Sequence, residues 1–152
     1  VRRGLAATTA VVLVLEAFVI AFIHVVLGLA VRNQNMSVAG LDSDGMAIGT
    51  WVGGALFGLF LIGCALIPAR VALRGRPPGR FGQILLIVCA VVHGLLGALV
   101  VGLVGWAAFV FMMVVLALLV GTLLLYPDTE DSAPAAGSNG NEVPPPTAPA
   151  AA

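Results

Sequence analysis

Four long apolar runs occupy residues 5–126, and nearly every charged residue among them falls at a joint between two runs. A helix crossing about 30 Å of hydrocarbon at about 1.5 Å per residue needs about 20 apolar residues. Spans are expected at 5–31, 46–67, 82–102 and 106–126. The last two are continuous in hydropathy, and residues 84–126 as one rod would reach about 65 Å, twice the bilayer core. The chain must therefore fold back, and Gly102, Leu103, Val104 and Gly105 offer the turn, with Trp106 at its edge suited to the interface. Only 9% of residues are charged and 61% are hydrophobic, against about 25% charged in a soluble domain. Lipid must be the solvent for most of this chain.

Arginine placement sets the topology. Arg2 and Arg3 precede the first span, Arg70, Arg74, Arg76 and Arg80 lie between the second and third, and Arg32 alone lies between the first and second. The positive-inside bias makes the arginine-rich side cytoplasmic. The expected fold is thus an all-α membrane protein, four transmembrane helices in an up-down bundle over residues 1–126, in a cell membrane with both termini inside. Trp51 and Tyr126 sit near span ends as an aromatic belt places them. The second span is expected to close at Pro68 and to start behind LDSDG, with Ser43 or Asp44 as its cap. Residues 127–152, with DTED and VPPPTAPAAA, read as a disordered Pro/Ala-rich cytoplasmic tail. The first run exceeds the apolar region of about 7 to 15 residues in a signal peptide, and it is expected to be retained. Val1, the lack of lysine and the Ala, Gly, Val, Arg and Pro bias fit a GTG start in a high-GC bacterium.

Several functions find no support. A formal net charge of zero gives no electrostatic case for nucleic acid, and the chain leaves no room for a separate soluble domain of ordinary size. There is no Walker loop, no HExxH, no nucleophile elbow and no paired nucleophile and base. Cys64 and Cys89, far apart in sequence and without neighbouring ligands, read as buried hydrophobes rather than a disulfide or zinc set. Asp42 and Asp44 lack the remaining ligands of a calcium loop, and Asn35, Met36 and Ser37 form a sequon that a bacterium would leave bare.

Three ionisable side chains stand inside the runs: Glu16, His24 and His93. A charged carboxylate at mid-membrane costs several kcal/mol, about the scale of translocon insertion, so Glu16 must be protonated, partnered or turned inward. It either fixes packing through a neighbouring helix, or it handles protons or coordinates a ligand. His24 and His93 lie about 10 and 13 Å from the outer ends of spans one and three. Two imidazoles across a bundle core could also hold a b-type haem or a metal, though neither histidine sits in a local ligand motif, and no cofactor is otherwise indicated. Small residues recur at packing spacing in Gly49 and Gly53, in Gly54 and Gly58, and in Gly94, Ala98 and Gly102. Such stripes serve packing within the bundle or homodimerisation.

The opening RRGLAATTAVVLVLEAFVIAF, and above all LVLEAF at residues 13–18, resembles the start of small four-helix membrane proteins of actinobacteria whose function is unassigned. The resemblance implies a bacterial source and four-helix topology. Function is expected to be non-catalytic: an accessory, scaffold or assembly partner contacting lipid and a membrane-protein partner or a second copy. The rival readings are proton-linked or small-solute conduction through Glu16, then haem-based redox chemistry through His24 and His93.

Overall fold

The computed structural model describes residues 2–35, 40 and 42–126, which form four helices: α1 (Arg2–Asn33), α2 (Ser43–Arg74), α3 (Arg80–Leu103) and α4 (Trp106–Leu125). All four are long and apolar enough to cross a membrane. They run alternately up and down, so the chain is an all-α multi-pass membrane protein. The tail at 127–152 and the sequon's Met36 and Ser37 lie outside the described residues.

Periodicity explains which faces turn inward. Ala6, Thr9, Ala10, Leu13, Glu16 and Ala17 are buried on α1 at alternating three- and four-residue steps, the spacing of one helical face. Leu86, Cys89, Ala90, His93 and Gly97 repeat the pattern on α3. Leu13, Leu61, Leu86, Val115 and Leu119, drawn from all four helices, are fully buried in one cluster. Outward positions are apolar as well, with Phe18, Phe22, Leu59 and Leu99 exposed, as they must be where lipid surrounds the bundle.

Adjacent helices pack in the order α1–α2, α2–α3, α3–α4 and α4–α1, with contact heaviest between α1 and α2 and sparse between α2 and α3. Ala6, Val71 and Tyr126 cluster at one end, placing the start of α1, the end of α2 and the end of α4 at one level. Arg3 reaches Gly75 beside them, so the arginines gather at this end. The helices differ in length, at 32 residues for α1 and α2, 24 for α3 and 20 for α4. From their shared level the α1–α2 hairpin therefore rises about 10 Å beyond the α3–α4 turn.

Three local expectations change. Asp42, not Ser43 or Asp44, is the N-cap of α2, its carboxylate accepting from the Gly45 N–H at 3.0 Å. Pro68 does not end α2, which continues to Arg74 and stops at Gly75 in the left-handed region, φ 67°. A proline inside a helix removes one donor. Gly75 ends the helix because its left-handed conformation carries no β-carbon penalty, and its N–H bonds the Val71 carbonyl at 2.8 Å. The α3–α4 turn is narrower than the expected stretch from Gly102 to Gly105, because Gly102 and Leu103 stay within α3 and the backbone reverses at Val104 and Gly105, with Gly105 at φ 112° and the Val104 and Gly105 N–H groups both donating to the Val100 carbonyl.

Candidate functional site

Glu16 and His93 meet in the bundle core. The Nε2 of His93 lies 2.9 Å from Oε2 of Glu16, and the side chains are 1% and 3% exposed. α1 and α3 are the diagonal pair of the bundle, so this bond crosses its axis between helices that are not packed as neighbours. Both residues occupy inward slots of the buried stripes, Glu16 three residues after Leu13 and His93 three after Ala90.

The proton arrangement follows from the second ring nitrogen. Nδ1 of His93 lies 2.8 Å from the Cys89 carbonyl oxygen, which can only accept, so Nδ1 carries a hydrogen and donates it. Nε2 and the carboxyl then share one further proton. Either Glu16 keeps it and donates to Nε2, or Nε2 holds it and donates to Glu16. Both arrangements have zero net charge, which is what a low-dielectric interior demands.

Cys89 Sγ lies 3.6 Å from Nδ1, and Cys64 Sγ lies 3.9 Å from the Leu85 carbonyl in the same buried cluster. The fold thus collects both cysteines beside the histidine, although their sequence separation gave no sign of it. This is not a thiol-activating arrangement, because the Nδ1 lone pair that would take the thiol proton is occupied by a hydrogen bonded to Cys89 O. Among the described residues no group of three or more His, Cys, Asp or Glu is gathered as a metal cage.

Two turns toward the arginine end, Thr9 and Thr122 place their hydroxyls 3.0 Å apart, joining α1 to α4. Each also reaches a carbonyl, Leu5 at 2.9 Å and Leu118 at 2.8 Å. Sequence reading missed this pair. Its signal was available, since Thr9 lies on the stripe of Ala6 and Leu13.

His24 is not brought to His93. Its Nδ1 donates to the Ile20 carbonyl at 2.8 Å and its ring rests on Gly54 of α2. It lies about 12 Å along α1 from Glu16, so the two imidazoles do not form a facing pair, and Nε2 of His93 is committed to Glu16.

No family model, curated protein or solved structure matches this chain.

The small-residue stripes divide. Gly54 receives His24, and Gly58 lies over the Ala17 backbone, where an added β-carbon would sit 3.5 Å from the carbonyl oxygen. Gly49, Gly53, Gly94 and Gly102 face open space, and Ala98 is exposed. On α3 the close approach is made by Gly97, against Met113, Met112 and Phe109 of α4. Gly28, unremarked in the sequence, holds the Trp51 indole, whose Nε1 donates to the Val25 carbonyl at 3.2 Å. Above it Arg32 bonds Asp44 at 2.8 Å and stands 5.8 Å from the indole centroid. Arg2, Arg3, Arg70, Arg74, Arg76 and Arg80 all lie at or near the opposite end, on exposed positions.

Proposed function

We propose that the protein is a cell-membrane accessory, scaffold or assembly partner acting without catalysis, with both termini cytoplasmic. The observation that supports this reading is the mutual engagement of Glu16 and His93 in a closed core. A carboxyl and an imidazole poised for external chemistry need access to water or a ligand, whereas these are buried against each other. Clefts of about 530, 330 and 330 Å³ lie elsewhere, and neither residue lines any of them. The outward Gly49, Gly53, Gly94, Ala98 and Gly102 leave helix faces that another transmembrane helix approaches closely. Mild crosslinking in the native membrane, followed by purification of the full chain, tests the reading. A stable companion is expected, and a chain that runs alone counts against it.

The second reading, proton-linked or small-solute conduction, rests on the one proton shared by Glu16 and His93. Under it, proteoliposomes would show proton or solute flux lost on Glu16→Gln. Well-inserted protein without flux sinks that alternative and leaves the first.

A further inference from the structure

At the arginine end, α2 and α3 part to leave a cleft of about 530 Å³. Gly63, Ile67, Arg70 and Arg74 line it from α2, at steps of four, three and four residues that keep them on one helical face. Phe81 and Leu85 line it from α3, and Arg76 from the connecting loop. The cleft is therefore graded along its length, with guanidinium groups at the mouth and aliphatic walls inside. From Arg74 to Gly63 it runs about 16 Å along α2, close to the depth of one leaflet's hydrocarbon. Gly63 keeps the inner end open, since a β-carbon there would meet nothing within 4 Å.

Among the described residues Asp42 and Asp44 are at the opposite end and Glu16 is buried against His93, so no carboxylate neutralises Arg70, Arg74 or Arg76. A ligand matching this surface has an anionic head with several acceptor oxygens and an apolar tail about one leaflet long. We propose that the cleft is a binding site for an anionic glycerophospholipid, its phosphate held by Arg70, Arg74 and Arg76 and one acyl chain lying between α2 and α3 toward Gly63. Guanidinium forks suit phosphate oxygens, and a basic pocket between transmembrane helices is the form such recognition takes. The site differs from diffuse attraction of basic loops to headgroups because it has a walled acyl slot, which can be blocked without touching any charge.

The test is native mass spectrometry of the full chain from nanodiscs of dioleoyl phosphatidylglycerol and dioleoyl phosphatidylcholine in equal parts. One phosphatidylglycerol should be retained in preference to phosphatidylcholine. The double variant Arg70→Gln/Arg74→Gln should lower that retention about twenty-five-fold, at about fivefold for each basic side chain near a membrane surface. Gly63→Leu, which fills the slot at a position with free space, should also release the lipid while leaving helix content unchanged. Retention unaffected by Gly63→Leu but abolished in the double variant would overturn the acyl slot in favour of headgroup attraction alone. Displacement by millimolar inorganic phosphate would identify a phosphate site instead. Binding that appears only after removal of residues 127–152 would make the acidic Asp128–Asp131 segment the occupant and would equally overturn the proposal.

Discussion

Glu16 and His93 hold opposite sides of one bond, and their substitutions are not equivalent. Glu16→Gln keeps a donor for Nε2 and is expected to cost less than about 1 kcal/mol, whereas Glu16→Ala strands a buried ring nitrogen at about 1–3 kcal/mol. Reversible unfolding in mixed micelles measures both, and a Gln variant as unstable as the Ala variant would show that the ionised pair is the native form. A double-mutant cycle with His93→Ala should return a coupling of about 0.6–1.7 kcal/mol, the range of buried polar pairs between membrane helices. Glycines give a sharper contrast. A β-carbon on Gly54 would enter the His24 ring, while one on Gly53, a single residue away, meets nothing within 4 Å. Gly54→Ala is expected to lose about 1–3 kcal/mol by overpacking and Gly53→Ala essentially nothing, compared by thermal unfolding in one detergent.

Helices and turns were largely legible because hydropathy length alone requires them. The α3–α4 turn is the clearest case, since 84–126 cannot be one span and Gly105 sits at φ 112° where the backbone reverses. Gly105→Ala should loosen this hairpin by about 1–2 kcal/mol through strain at positive φ, visible as faster amide exchange in residues 100–108. The partner of Glu16 was within reach of the same arithmetic used from the other end. Counted from Arg2 and Arg80, Glu16 and His93 stand about 21 and 20 Å into parallel helices, a match that points directly to their contact. Counting from the outer ends gave His24 and His93 similar depths instead, because α1 rises about 10 Å past α3 and its outer end is the wrong origin. Which glycines face inward was not legible, since GxxxG spacing occurs on two adjacent faces of α2 and only packing selects between them. The cap at Asp42 was displaced by one residue for a similar reason: three neighbouring side chains in DSDG can all serve, and the entry angle of the chain decides.

The complete molecule has two chemically distinct ends, and they are separable by experiment. Cys64 and Cys89 are buried, so a thiol introduced at Asp42 or at Pro77 can be read without background. Membrane-impermeant maleimide should reach position 42 from one face of a sealed vesicle and position 77 only from the other. Labelling of both from one face would contradict four crossings. Unequal helix lengths carry a separate consequence. A membrane thin enough to match α4 at about 30 Å leaves the upper turns of α1 and α2 in headgroups and water, although Leu27 and Leu29 there are apolar and exposed. A thicker membrane covers those turns but submerges the Gly105–Trp106 corner. No single thickness suits both hairpins, so the surrounding lipid must deform or the bundle must tilt, at fractions of a kcal/mol per Å, and the elastic properties of the host membrane become a determinant of how this protein stands in it.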